Sequence, residues 1–201
     1  MVSKLGTGSG SVPEDSQQAE SHHRKIVITE ADTLRSPLLA RLAEQLSVLQ
    51  AASGKTKPEF AAFLAISGSQ FRYLRRRLTN PSIHSLAHIA KQVRIPLYQL
   101  LEDKPIEERK RLSGPQMSKR LGAIVARFYV ESALTKVEFA DRIDVGFSQL
   151  YVIMNGESNP SLLVAEEIAK RLGITLWQLL GVETLEGHSY TLPKRARKPR
   201  K

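Results

Sequence analysis

Two clusters of side chains stand out for what they could grip. In the first, Lys57 precedes Ser69-Gln70, Arg72, Tyr73 and the triplet Arg75-Arg76-Arg77; in the second, Lys136 precedes Ser148-Gln149, Tyr151 and Asn155. Guanidinium and carboxamide groups offer paired hydrogen bonds of fixed geometry, and ammonium groups offer compact positive charge. This is the chemistry of recognising anions and planar hydrogen-bonding edges. Catalysis finds no comparable support: the chain has no Gly-rich phosphate loop, no His/carboxylate pair recurring in both clusters and no nucleophile motif. An enzyme is therefore not expected, nor a cofactor. The complete absence of cysteine excludes disulfides, zinc-thiolate sites and thiol catalysis. His84 and His88 have the spacing to hold a metal from one helix face, but no Cys or acidic partner accompanies them, and Leu163 and Glu167 stand at the corresponding positions of the second cluster. No metal site is expected.

The clusters correspond because the chain repeats itself. At an offset of 79 residues, which lays Lys57 on Lys136, residues 41–101 align with 120–180 without a gap, and about a third of the pairs are identical. Lys57, Glu59, Phe60 and Ala61 recur as Lys136, Glu138, Phe139 and Ala140; Asn80-Pro81-Ser82 recurs as Asn159-Pro160-Ser161, and Ile89-Ala90-Lys91 as Ile168-Ala169-Lys170. One supersecondary unit is used twice, which divides the 201 residues into two modules of about 65 to 70 residues each.

Helices must position the clusters. Ser36-Pro37 is a helix start, with Leu38, Leu39, Leu42, Leu46 and Leu49 following at helical spacing up to Gly54. Thr56 and Glu59 form a capping box ahead of Phe60, and Thr135 and Glu138 do the same ahead of Phe139. Few residues separate that second helix from the apolar pair Phe71 and Leu74 (Leu150 and Ile153), so a tight turn joins helices two and three. Asn80-Pro81-Ser82 ends the third helix and caps a fourth, and a brief fifth closes on Leu97, Leu100 and Leu101. With Phe71, Leu74 and Leu78 on the inner face of helix three, Ser69, Arg72, Tyr73 and Arg76 form its outward stripe, with Gln70 at the edge. The second copy presents Ser148, Tyr151, Val152 and Asn155, flanked by Gln149.

Charge narrows the partners. The chain carries a formal +10, which favours polyanions. Residues 36–104 hold ten Lys/Arg against four Asp/Glu, whereas 116–183 hold seven against eight, so the copies are not electrostatic equals. The expected organisation is a disordered segment over 1–35, with Ile26-Val27-Ile28 a strand or a strip on the first module; a first domain over 36–104; a linker helix over 105–115, closed by Ser113-Gly114-Pro115; a second domain over 116–183; and a basic tail over 184–201. No signal peptide and no membrane-length apolar run is visible, so a cytoplasmic, nucleoid-associated protein with no membrane partner is expected.

From Thr135, Lys136, Glu138, Phe139 and Ala140, through Ser148, Gln149, Leu150 and Ile153, to Asn159-Pro160-Ser161 and Ile168-Ala169-Lys170, the second copy resembles the lambda-repressor-like, xenobiotic-response-element type of helix-turn-helix family. The first copy resembles it more loosely. The resemblance implies an all-α protein of two tandem five-helix domains that binds double-stranded DNA and regulates transcription in a bacterium, plasmid or phage. It also implies that helix three enters the major groove, while the start of helix two and the loop after helix three touch phosphates. Base reading then falls to Gly68, Ser69, Gln70, Arg72 and Tyr73, and to Ser148, Gln149 and Tyr151: Arg72 can pair with guanine and Gln70 with adenine. Phosphate contact falls to Lys57, Arg75, Arg76, Arg77, Lys136 and Asn155. Two of the family's turn glycines are replaced: Ala65 and Asp144 stand after helix two, and Arg77 stands where the second copy keeps Gly156. A homodimer and contacts with other transcription proteins stay open as further partners. Two other readings stay open as well: the near-neutral second module is a dimerisation or protein-interaction domain, or the whole chain is a non-DNA adaptor such as an antitoxin. Tyr98 and Trp177, at equivalent places in helix five, read as core or dimer contacts.

Overall fold

In a computed structural model of the chain, which describes residues 26–102 and 112–185, every regular element is a helix, as expected of an all-α protein. A short α1 (Glu30–Arg35) leads into α2 (Pro37–Ala52), α3 (Lys57–Phe63), α4 (Gly68–Arg76), α5 (Ile83–Gln92) and α6 (Leu97–Leu101). Then follow α7 (Gly114–Glu131), α8 (Lys136–Ile143), α9 (Phe147–Met154), α10 (Leu162–Leu172) and α11 (Leu176–Leu179). Shifted by the repeat offset, α3 to α6 fall on α8 to α11 to within a residue at each end. The cause is repeated capping. The Thr56 and Thr135 backbone N–H groups donate to Glu59 (2.8 Å) and Glu138 (3.0 Å), each carboxylate folding back over its helix start.

The same positions are buried in both copies. Leu42, Phe60, Phe71, Leu74, Ile89 and Leu100 are matched by Leu121, Phe139, Leu150, Ile153, Ile168 and Leu179, and one continuous apolar core runs through both copies. Each such large side chain contributes about 1.5–3 kcal/mol by leaving water. Positive φ also recurs in register: Ala65 (54°) with Asp144 (58°), Arg77 (57°) with Gly156 (72°), and Arg94 (60°) with Gly173 (73°). The left-handed turns thus recur whether or not glycine occupies them, at about 1 kcal/mol for each non-glycine residue.

Between the copies, Asn80-Pro81-Ser82 meets Asn159-Pro160-Ser161 through an isolated antiparallel bridge at Ser82 and Ser161. The Ile83 N–H donates to Pro160 O (3.0 Å) and the Leu162 N–H to Pro81 O (2.8 Å). Asn80 Nδ2 donates to Ser161 Oγ (2.8 Å) and Asn159 Nδ2 to Ser82 Oγ (3.2 Å). The carbonyl oxygens of the same amides accept from the Leu163 and His84 N–H groups, each at 3.1 Å. Tyr98 and Trp177 meet edge to face, ring centroids 6.4 Å apart, and both are buried as core. Beside this junction α7 packs on α5, where His84 Nε2 lies 2.8 Å from Ser118 Oγ.

Three expectations need correction. Residues 26–35 are not without structure: Ile26 N–H donates to Asp144 O (3.1 Å), so the Ile26-Val27-Ile28 strip reaches the second copy and is not a strand, and Thr29 then caps α1 in a box with Asp32. Ser113-Gly114-Pro115 opens α7 rather than closing a linker helix. Ser113 N–H donates to Gln116 Oε1 (2.8 Å), and a Cβ at buried Gly114 would lie 2.7 Å from the His84 ring. Leu78 is 42% exposed, because the left-handed Arg77 ends α4 before the helical phase can carry Leu78 inward. The body of the expected linker helix, 103–111, and the basic tail from residue 186 lie outside the described residues.

Candidate nucleic-acid interface

The α3–α4 pair is set by two aromatic rings and a left-handed turn. Phe60 and Phe71 meet edge to face at 5.6 Å, and Ile66 N–H donates to Ala61 O (3.0 Å) across the turn at Ala65. Ser67 Oγ then accepts from Gln70 N–H (3.1 Å), which starts α4 with its second and third turns aimed by the burial of Phe71 and Leu74. Ser69, Gln70, Arg72, Tyr73 and Arg76 are all left exposed on the outward side. Gly68, at the first position of α4, has open space where a side chain would stand.

Within this stripe the side chains are not equivalent. The Arg72 guanidinium lies 5.4 Å from the Tyr73 ring centroid, and the residue is exposed. Gln70 Oε1 accepts from Ser67 N–H (3.0 Å), so the carboxamide expected to read adenine also closes a capping box and keeps its NH₂ for a partner. The arginine triplet divides. Arg75 Nε donates to Ser47 Oγ (3.1 Å) and packs over Phe71, tying α4 to α2. Arg77 Nη1 donates to Leu34 O (2.9 Å), holding the end of α1. Arg76 is exposed and meets no partner among the described residues. Lys57 stands exposed at the first position of α3, beside that helix's free N–H groups.

The second copy builds the same frame with different chemistry. Asp144 makes the left-handed turn after α8, and its carboxylate accepts from Arg171 Nη2 (3.0 Å). Gly146 replaces the capping serine, so Gln149 is exposed with no cap to serve. Tyr151 stands where Arg72 does, and Lys136 Nζ donates to its hydroxyl at 3.0 Å. That hydrogen bond is the main reason the ammonium holds its proton above the ordinary lysine range. Phe147 packs edge to face on Tyr151 at 5.2 Å, and with Val152 these side chains make an apolar outward face, 38%, 40% and 43% exposed in the order Phe147, Tyr151, Val152. Asn155 caps the end of α9 and is exposed, with Gly156 turning the chain behind it. Gly122 lets α7 cross close: a Cβ there would stand 2.4 Å from Ile153 O.

Residues 128–176 match a family model described as Helix-turn-helix. The match runs from the end of α7 into the start of α11 and so takes in α8, the left-handed turn and α9. The chain therefore contains a helix-turn-helix element of the DNA-binding, transcription-regulating kind. Comparisons with curated proteins and with solved structures give no match. Within the helix-turn-helix, α9 is the second helix of the motif, and Ser148, Gln149 and Tyr151 lie on its exposed side. No helix among the described residues is long and apolar enough to cross a membrane.

Two features of this surface escaped the sequence. The exposed aromatic at Phe147 was signalled only by its place opposite Gly68 in the repeat. The roles of Arg75 and Arg77 depend on Ser47 and Leu34, which lie far from α4 along the chain.

Proposed function

We propose that the two repeats, residues 36–104 and 116–183, are tandem helix-turn-helix domains that bind one stretch of double-stranded DNA and regulate transcription. The first repeat supplies most of the electrostatic hold. The observation that carries this reading is the exposed stripe of α4: Arg72 and Arg76 are exposed, with Ser69 and Gln70 at the helix start, and Lys57 is exposed at the start of α3. Arg72 reads guanine through its paired donors, and Arg76 and Lys57 meet phosphates on either side. Gln149, Ser148 and Tyr151 read bases more sparingly from α9. Lys136 and Asn155 touch the backbone beside them.

The test is binding of the full chain to random duplex across a salt series. Affinity should fall linearly with salt on logarithmic axes, by about 0.9 per phosphate neutralised. An adaptor that never touches DNA would give no duplex binding at low salt.

A second reading has its own observation: Phe147, Tyr151 and Val152 make an apolar face that suits a protein partner as well as a groove. Under that reading the first repeat binds DNA alone, and removing residues 116–183 leaves operator affinity unchanged.

A further inference from the structure

Two domains in one chain can be related by translation, like cars in a train, or by rotation about a two-fold axis. The relation decides what duplex they can read. In a translated pair, surface A of one domain meets surface B of the next, and no contact occurs twice. In a two-fold pair every contact occurs twice with the partners exchanged.

The junction is of the second kind. Ile83 and Leu162 are equivalent residues, and each donates its N–H to the proline carbonyl of the other copy. Asn80 and Asn159 are equivalent, and each spans the junction with both ends of its carboxamide, donating to the opposite serine hydroxyl and accepting from the opposite backbone. Ser82 with Ser161, and Tyr98 with Trp177, are equivalent residues paired with each other, as residues on an axis must be. The bridge is antiparallel, as a two-fold requires. The symmetry is broken beside the axis, where α7 packs on α5 through His84 and Ser118.

We infer that the chain is its own dimer: one molecule takes a duplex site whose two half-sites face each other about a local two-fold axis, at one fixed spacing and with different bases in the two halves. This rests on the DNA-binding reading above. Three residues separate the end of α4 at Arg76 from Asn80, and four separate the end of α9 at Met154 from Asn159, so the C-terminal end of each helix is tied by a short segment to the junction. A duplex carries its own two-fold axes, and a two-fold protein aligns with one of them. The half-sites differ because Arg72 and Tyr151 occupy the same place. The direct contact between copies, not the reach of the linker, sets the spacing.

The experiment uses the full chain and an operator recovered by selection from a random duplex pool. Hydroxyl-radical footprinting reports backbone protection on both strands. Protection read 5′ to 3′ on one strand should match that read 5′ to 3′ on the other, and sedimentation should give one chain per duplex. Inserting five base pairs at the centre, about half a turn, should cost at least about tenfold in affinity. Asn80→Ala with Asn159→Ala should lose a similar factor on the operator while leaving random duplex unaffected, with circular dichroism checking that the variant is folded. A pattern that repeats along each strand, a tolerated insertion, or two chains per site would overturn the inference. Protection of a single half-site would overturn it too, while leaving DNA binding by the first repeat intact. Failure to bind any duplex at low salt would instead remove the DNA-binding reading and the inference with it.

Discussion

Lys136 Nζ sits 3.0 Å from the Tyr151 hydroxyl and 4.4 Å from the centre of its ring. In the first copy the same two positions hold Lys57 and Arg72, both exposed, so a hydrogen-bonded pair in one repeat is a pair of cations in the other.

Exchanging that chemistry should move affinity in a known direction. Tyr151→Arg frees Lys136 from its acceptor and adds a second cation. Its affinity for random duplex should rise about tenfold in low salt, and its salt slope should steepen by about 1. Arg72→Tyr should do the reverse, and an unchanged slope in both variants would argue that neither position faces a phosphate or a groove. The check is fluorescence anisotropy over a salt series.

The arginine triplet should separate by function. Arg76→Ala should lower the salt slope by about 0.9 and leave thermal stability within about 0.5 kcal/mol. Arg75→Ala should cost about 1 kcal/mol of stability, since it loses the Ser47 hydrogen bond and the packing over Phe71. Denaturant unfolding of each variant, set beside its salt slope, tests the division. The same loss of slope in both would refute it.

Left-handed positions supply a matched pair. Arg94 and Gly173 are equivalent, with φ of 60° and 73°, and a Cβ at Gly173 would meet nothing within 4 Å. Arg94→Gly should therefore stabilise by about 1 kcal/mol, and Gly173→Ala should destabilise by about the same, through the backbone alone. Urea midpoints at constant m-value measure both.

Glu166, half-buried on α10, is raised above its ordinary value, chiefly by burial and then by the neighbouring Glu167. A carboxyl raised on folding favours the state that is protonated. Its contribution is fully present below the unfolded pKa and is lost as pH rises through the folded one. Glu166→Gln should accordingly raise the melting temperature at pH 7 and have no such effect at pH 3.5. An equal gain at both pH values would show that charge is not the cause.

Much of this architecture was legible in the sequence, because capping is local. Thr56 with Glu59, Thr135 with Glu138 and Ser36-Pro37 act within one turn, and each starts the helix that its spacing announced. The exposed stripe of α4 was legible for the same reason, since Phe71 and Leu74 fix its phase. What stayed hidden depends on distant partners. Asn80-Pro81-Ser82 reads as a helix end and cap, and nothing local says that its amide crosses to the other copy. Gly114 reads as a helix stop until His84 is seen against it. Leu78 fits the inward face by spacing, but a left-handed arginine intervenes.

A pairing surface carried within one polypeptide cannot be diluted apart. Separate subunits part company below their dissociation constant, and site occupancy then climbs with the square of dose. The bonds between residues 80–82 and 159–161 form between segments already tethered at high effective concentration. If the chain binds a duplex site as proposed, occupancy of that site should rise with the first power of its abundance, giving a graded response where a freely dissociating dimer would give a threshold.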